Sequence, residues 1–175
     1  QVTPSASDSR LGKLGLTDRI FAGARSRRLL ATVDEGMLRV DAALGDELRM
    51  AQPVVDAVSR YLYEAGGKRV RPMLALLTAQ LGDGTTDAVV EGAAALELTH
   101  LGSLYHDDVM DDADKRRGIP AAHEVWGNSV AILAGDLLFA RASQIMARYG
   151  ERAIRIQADT FERLVLGQMR ETVGP

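Results

Sequence analysis

The sequence contains no cysteine and no uninterrupted apolar segment long enough to cross a membrane. The absence of cysteine excludes disulfides, thiolate metal sites and a cysteine nucleophile, and it agrees with a reducing cytoplasm, where we expect the protein to act. The longest apolar run, SVAILAGDLLFA, is interrupted by Asp136 and falls short of the roughly 18 residues that a membrane helix requires. We therefore expect no segment that spans a bilayer.

Composition and charge exclude two further classes of protein. Hydrophobic residues make up 46% and charged residues 26% of the chain, a balance typical of a folded domain rather than a disordered one. The 21 basic and 24 acidic residues give a net charge of -3, which argues against nucleic acid as a partner. With 175 residues, the chain is either one domain or a piece of a larger one.

Segments of alternating polar and apolar residues, which would indicate β-strands, are also missing. Residues 1–30 mix glycines with arginines, and we expect them to form a flexible arm that becomes helical only near its end. Thr32 is followed three residues later by Glu35, a pattern that predicts a capping box at the start of a helix. We expect residues 31–175 to belong to a single domain.

Further helix starts are indicated by prolines, capping residues and glycines. The predicted first residues of five more helices are Pro53, Pro72, Thr86 or Asp87, Asn128 and Glu151. Gly66 and Gly67 suit the end of the second helix, because glycine accepts the left-handed conformation that follows a helix. The sequence thus predicts an all-α fold, a bundle of long antiparallel helices joined by short loops.

The stretch LYHDDVMDDADKRRG places five aspartates in eight positions and follows them with three basic residues. On a helix, Asp107 and Asp111 share one face, while Asp108 lies about 100 degrees around the axis. Like charges at this spacing destabilise a helix. The segment is therefore either a solvated helix end or a site for a hard divalent cation such as Mg2+, which prefers oxygen ligands and is often shared with substrate phosphates.

Two groups of basic residues favour the metal and diphosphate interpretation. Arg116 and Arg117 follow the aspartates by one to two helical turns, and the segment GGKRVRP supplies Lys68, Arg69 and Arg71 beside two glycines. Arginine binds phosphate oxygens through two parallel hydrogen bonds and lysine acts as a point charge, so the two groups suit two phosphate groups. Either group alone is typical of an exposed surface, and the indication comes from their combination with the aspartates.

Over about residues 30–175, the motifs GGKRVRP, ELTHLGSLYHDDVMDDADKRRG and WGNSVAILAGDLL resemble, in order and spacing, the N-terminal half of the trans-isoprenyl diphosphate synthases, the polyprenyl synthetase family. The resemblance implies the all-α isoprenoid synthase fold, a homodimer, and two or three Mg2+ ions. It also implies a bacterial prenyltransferase that condenses isopentenyl diphosphate with an allylic diphosphate. The product would be an all-trans polyprenyl diphosphate, and only this product would associate with membranes.

The resemblance assigns roles to individual residues. Asp107, Asp108 and Asp111 form the first aspartate-rich motif, with Asp107 and Asp111 as ligands of Mg2+. Arg116 is implied to bind the allylic diphosphate and to act in catalysis with the three aspartates. The residues implied to bind isopentenyl diphosphate are Lys68, Arg71, His100 and Arg117. Gln168, with Glu171 three residues later, resembles the family's next substrate-facing polar pair, for which an exposed surface is the alternative.

Product length is implied by the two positions that lie four and five residues before the first aspartate. Bulky side chains there close the product tunnel in this family, whereas this chain has Ser103 and Gly102. We therefore expect an open tunnel, a geranylgeranyl (C20) or longer product, and a shorter product from the variant Gly102→Phe. Of the remaining histidines, His106 is expected to pack or hydrogen-bond locally, and His123 has no predicted role.

Synthases of this family are about twice as long as this chain, and their second half carries another aspartate-rich motif and a Lys-Thr pair. We therefore expect this chain to be part of a longer protein and to be incomplete as an enzyme on its own. Two alternatives stay open, a catalytically silent helical subunit that regulates a partner synthase and a terpene cyclase that ionises a diphosphate. The intact aspartate spacing argues against the first, and the implied isopentenyl diphosphate site argues against the second.

Overall fold

The computed structural model describes residues 24–174, with side chains described from Arg27 onward. The helices are α1 Ala24–Glu47, α2 Pro53–Glu64, α3 Val70–Ala79, α4 Asp87–Met110, α5 Ala122–Trp126, α6 Asn128–Ala147 and α7 Glu151–Val173. The strands β1 Lys115–Arg116 and β2 Ile119–Pro120 form a small antiparallel hairpin. The all-α prediction is confirmed, and most of the predicted N-terminal arm lies outside the described residues.

The start of α1 differs from the prediction. The helix begins at Ala24, so Thr32 lies inside it and caps nothing, and the predicted capping box is wrong. The reason is the apolar pattern, because Leu30 is buried on the same face as Val33 and Met37, one and two turns later. Burial of this stripe stabilises helix beyond the local capping signal.

The other predicted helix starts agree closely with the structure. Pro53 is the first residue of α2, and the hydroxyl of Thr86 accepts a hydrogen bond from the backbone N–H of Val89 at 3.3 Å, which caps α4. Helix α3 begins at Val70, two residues before Pro72, and is preceded by Arg69 in a left-handed conformation with φ 49°. The loop between α2 and α3 therefore turns sharply just before the third helix.

Helix α4 is the central element of the bundle and packs against α1, α3 and α6. Its buried residues lie on several sides of the helix, as expected for an element surrounded by others. The crossing with α6 is close at Gly102 and Gly135, since a Cβ built on Gly135 would lie 2.9 Å from the carbonyl oxygen of Gly102. This packing fixes the C-terminal end of α4, where the aspartate-rich segment begins.

Helices α6 and α7 carry much of the exposed apolar surface. Helix α7, which is described over its whole length, buries none of its residues and exposes Leu164 and Met169 among others. Within the described residues, α6 is the one helix that has the length and composition of a membrane span, a property that core helices share. The expectation that no segment is long enough is therefore corrected for α6, which packs along α2, α4, α5 and α7.

Candidate active site

Asp107 and Asp111 lie together at the C-terminal end of α4. Asp111 is the C-cap residue, and its backbone N–H donates to the carbonyl of Asp107 at 2.8 Å, which places the two residues one turn apart. Asp107 is half-buried and Asp111 is exposed. Burial, followed by the neighbouring charge of Asp111, raises the pKa of the Asp107 carboxyl. A cation bound between these carboxylates would relieve this unfavourable charge.

Asp108 has a different environment from its two neighbours in the motif. Its side chain is 1% exposed, and its Oδ1 accepts from the Nε of Arg116 at 2.7 Å and lies 2.5 Å from an Nη of the same guanidinium. Its Oδ2 is buried without a hydrogen-bond partner. The hydrogen bond between Asp108 and Arg116 raises the pKa of Arg116, and burial opposes this shift. Asp108 therefore holds Arg116 beside the other two aspartates.

Arg116 and Arg117 lie on the hairpin and not on a continuation of α4. The chain reverses at Asp112, whose φ of 50° is left-handed, and the hairpin turn includes Arg117 at φ 54° and Gly118 at φ 82°. The sequence-based placement by helical turns was therefore wrong. The reversal nevertheless brings Arg116 back to Asp108, so the predicted proximity of aspartates and arginines is found by a different route.

The second basic group meets the first at the C-terminal end of α2. Arg117 donates through one Nη to the carbonyl oxygens of Leu62 and Gly66, and Lys68 and Arg71 are exposed on the adjoining loop and first turn of α3. Burial, followed by the charge of Arg69, lowers the pKa of Arg117. The hairpin that follows the aspartates is thus attached to the segment GGKRVRP.

His100 lies within this basic region, seven residues before Asp107 on α4. Burial lowers its pKa to about 4, and the charges of Arg71, Arg117, Arg116 and Arg69 add to the effect. His100 is consequently neutral at neutral pH and presents one N–H donor without a charge. The sequence-based expectation that His100 lies near the basic residues agrees with these interactions.

The carboxylates at the end of α4 fit Mg2+ only at a site that is shared with a substrate phosphate. Within residues 24–174, no group of three or more histidine, aspartate or glutamate side chains is gathered to hold a metal ion. Asp107 and Asp111 offer carboxylate oxygens, the hard ligands that Mg2+ prefers, and Mg2+ commonly completes its coordination with water and substrate phosphates. These residues therefore suit an ion that binds together with a diphosphate.

Two further predicted features have other surroundings in the structure. The space beside Gly102, expected to be open, is occupied by the ring of Phe139, whose Cε1 would lie 2.9 Å from a Cβ at that position. His106 packs as expected, against the ring of Phe139 at 5.3 Å, but its polar partners lie on α6 and not nearby in sequence, since its Nε2 is 2.9 Å from the carbonyl oxygen of Ile132 and 3.3 Å from Asp136. Gln168, on α7, is half-buried, and its substrate role stays a prediction.

Three structural contributors were missed in the sequence. Arg69 and Glu97 form a buried ion pair beneath the basic loop, and Asp108, whose catalytic role stays a prediction, holds Arg116. The isolated glutamate in the apolar run AAALEL could have indicated the ion pair of Arg69 and Glu97, because a buried carboxylate requires a partner. No sequence pattern indicated that Asp108 would turn inward.

Comparison with known proteins relates these motifs to a family of enzymes. The family model described as polyprenyl synthetase matches residues 52–174. A nonaprenyl diphosphate synthase of Mycobacterium tuberculosis (strain ATCC 25618 / H37Rv) is 50% identical over 160 residues, which cover 91% of this chain and 45% of that protein. The chain thus spans less than half the length of this curated relative.

Solved structures show the same relationship. A decaprenyl diphosphate synthase from Rhodobacter capsulatus matches with a TM-score of 0.78 at 36% identity, over 83% of this chain and 46% of that one. A geranylgeranyl pyrophosphate synthase from Corynebacterium glutamicum, complexed with calcium and isoprenyl diphosphate, matches with a TM-score of 0.75 at 44% identity, over 85% of this chain and 45% of that one. The resemblance seen in the motifs is confirmed, and the protein belongs to the polyprenyl synthetase family.

Proposed function

We propose that this chain is the N-terminal part of a trans-polyprenyl diphosphate synthase and supplies binding residues for both substrates. The observation that supports the proposal is the arrangement along α4, where two groups of charged residues lie at neighbouring positions. One consists of Asp107, Asp111 and Arg116 at the end of the helix, and the other surrounds His100 two turns earlier. A reaction that joins two diphosphate esters requires such a pair of neighbouring sites.

The allylic diphosphate binds at the end of α4 in this proposal. Asp107 and Asp111 would hold two or three Mg2+ ions together with the substrate, and the bound ions would neutralise the negative charge of the leaving diphosphate. A relative of known structure was complexed with calcium and isoprenyl diphosphate, which supports the use of a divalent cation together with a diphosphate. Arg116, fixed by the buried Asp108, donates to the same diphosphate.

Isopentenyl diphosphate binds at the basic group. Lys68 and Arg71 are exposed and available to phosphate oxygens, and Arg117 contributes its remaining N–H groups from the hairpin. His100 is neutral, so it donates a hydrogen bond to the diphosphate without adding to the mutual repulsion of the arginines. Two arginines, one lysine and a neutral histidine from separate segments thereby surround one anion.

The chemistry requires no nucleophilic side chain. The C–O bond of the allylic diphosphate breaks and leaves an allylic cation, and the double bond of isopentenyl diphosphate supplies the electron pair for the new C–C bond. The proton that this carbon skeleton loses passes to the departing diphosphate. The protein's task is electrostatic stabilisation of the separating charges and exclusion of water, for which the apolar faces of α4 and α6 are suited.

The finer properties of the enzyme follow from the same proposal. The metal is Mg2+, the active form is a homodimer, and the protein acts in the cytoplasm with only its product entering the membrane. The product is of geranylgeranyl length or longer, in keeping with the names of its nonaprenyl, geranylgeranyl and decaprenyl relatives. Gln168 would approach the substrates from α7.

The proposal is tested by Mg2+-dependent incorporation of labelled isopentenyl diphosphate by the complete natural polypeptide that contains this chain. Asp107→Ala and Asp111→Ala are expected to abolish incorporation, while Asp159→Ala, an exposed aspartate on α7, leaves it unchanged. Normal turnover in both site variants would overturn the metal assignment. Consumption of the allylic diphosphate without incorporation would indicate a cyclase, and activity only with an added synthase would indicate a regulatory subunit.

A further inference from the structure

Arg69 differs from the other basic residues of the segment GGKRVRP because it points into the protein. It is 8% exposed, whereas Lys68 and Arg71 are exposed. One Nη donates to Oε1 of Glu97 at 3.0 Å, and the other donates to the carbonyl oxygen of Tyr63 at 3.0 Å. Its guanidinium also lies 4.8 Å from the centre of the Tyr63 ring. Arg69 is therefore committed to the protein and is not available to a phosphate.

Glu97 anchors this guanidinium to the central helix. Its side chain is 2% exposed, and it lies on α4 one turn before His100. Burial raises the pKa of Glu97, while the charge and hydrogen bond of Arg69 oppose the shift. Two buried charges on separate elements are costly to desolvate unless their geometry is good, so the pair joins α4 to the loop in one defined arrangement.

The backbone conformation of Arg69 links the ion pair to the direction of the loop. Arg69 adopts φ 49° and is the residue immediately before α3, so its side chain and its main chain together set the direction in which the loop enters the helix. Lys68 precedes it directly and Arg71 lies in the first turn of α3. A change in the position of Arg69 therefore moves both of the residues proposed to hold isopentenyl diphosphate.

We propose that Arg69 and Glu97 are positioning residues of the isopentenyl diphosphate site: Glu97 fixes the guanidinium of Arg69, which in turn fixes the loop that presents Lys68 and Arg71. This inference rests on the function proposed above and assigns neither residue a contact with substrate.

A carboxylate in this position carries an electrostatic disadvantage. Glu97 reduces the positive potential that attracts a diphosphate, so a cluster selected for charge alone would lack it. If Glu97 acted only as a charge, its neutralisation would tighten diphosphate binding. If it acts by position, its neutralisation loosens the guanidinium of Arg69 and weakens binding. The two roles thus predict opposite changes in diphosphate affinity when Glu97 is neutralised.

The first test is Arg69→Lys in the complete polypeptide, which keeps the charge and removes the two-pronged donor. We expect the KM for isopentenyl diphosphate to rise by about tenfold, and the KM for the allylic diphosphate and kcat to change by less than about twofold. The matched control is Arg60→Lys, in which a half-buried arginine that pairs with Glu64 at 2.9 Å on α2 loses the same planar guanidinium. Equal rises in both KM values would show a merely structural role and overturn the inference.

The second test is Glu97→Gln, measured by calorimetric titration with inorganic pyrophosphate, and needs no turnover. We expect pyrophosphate to bind about threefold or more weakly than to the unaltered protein. Tighter or unchanged binding would overturn the inference. Thermal melts of both variants are the control that tests whether each is folded when binding is measured. Failure of the unaltered polypeptide to incorporate isopentenyl diphosphate would overturn the proposed function, whereas the pyrophosphate titration reports on the positioning role separately.

Discussion

The ring of Phe139 on α6 occupies the space that Gly102 leaves on α4. A Cβ built on Gly102 would lie 2.9 Å from Cε1 of that ring and 3.0 Å from the carbonyl oxygen of Gly135. The ring also packs edge-on against His106, with 5.3 Å between centroids, and at a tilt of 53° against Phe161, with 4.7 Å between centroids. Gly102 is therefore a site of helix packing, and the absence of a side chain there does not leave an open channel.

Product length should consequently respond to Phe139 and Ser103. Ser103 is half-buried and lies one turn before Asp107 on the same face of α4, so Ser103→Phe is expected to shorten the product. Phe139→Ala is expected to lengthen it by removing the ring beside Gly102. Chromatography of the dephosphorylated products measures both effects. Products of unchanged length from both variants would show that this part of α4 does not limit elongation.

The crossing of α4 and α6 makes a prediction about stability. A Cβ at Gly135 would overlap the His106 ring and lie 2.9 Å from the carbonyl oxygen of Gly102, so Gly135→Ala should destabilise the protein by about 1 to 3 kcal/mol. Gly92 on α4 has nothing within 4 Å of the same position. Gly92→Ala should therefore stabilise the helix by up to about 1 kcal/mol. Urea denaturation measures both, and similar effects from the two substitutions would contradict the packing argument.

His100 should make stability depend on pH in a defined range. Its pKa falls from 6.5 to about 4 on folding, so between these values the unfolded chain binds a proton that the folded protein does not. The contribution of His100 to the free energy of unfolding therefore decreases as pH falls from 6.5 to about 4. His100→Gln should remove this dependence, measured as the difference between the two proteins in thermal midpoint against pH.

An opposing dependence belongs to Glu97 and Asp107, whose raised pKa values favour the folded protein as pH falls. The comparison with His100→Gln cancels this background, because both proteins retain these carboxyls. Inorganic pyrophosphate should reduce the slope due to His100, since its charge offsets that of the surrounding arginines. A His100→Gln curve parallel to that of the unaltered protein would refute the environment described for His100.

Asp108 should affect the allylic substrate through Arg116. In Asp108→Asn, the charge that fixes the guanidinium of Arg116 is lost, so kcat/KM for the allylic diphosphate is expected to fall by about 10- to 100-fold. The concentration of Mg2+ that gives half-maximal activity should change far less than in Asp107→Asn. Steady-state kinetics with each substrate varied in turn measures this difference, and equal Mg2+ dependence in the two variants would contradict the division of roles within the motif.

Local signals in the sequence predicted most of the helices, because prolines, capping residues and glycines act within a few residues. Pro53 and Thr86 illustrate this success. Thr32 illustrates the limit, since burial of the apolar stripe containing Leu30 extended α1 past a plausible cap. Tertiary packing outweighs a capping contribution of about 1 kcal/mol.

The candidate site was predictable in its residue types but not in its connections. Spacing placed Asp107 and Asp111 on one face, which requires only helical geometry. The contact between Asp108 and Arg116 forms because α4 ends at Met110 and the chain reverses at Asp112, so helical periodicity gives no guide to it. The ion pair of Arg69 and Glu97 joins segments 28 residues apart and became visible only in three dimensions.

The carbonyl oxygen of Gly66 accepts hydrogen bonds from both Arg69 and Arg117. This oxygen thus connects the loop before α3 to the hairpin that follows the aspartates. Both segments carry residues of the isopentenyl diphosphate site proposed above, Lys68 on the loop and Arg117 on the hairpin, so an anion that orders one segment lowers the entropic cost of ordering the other.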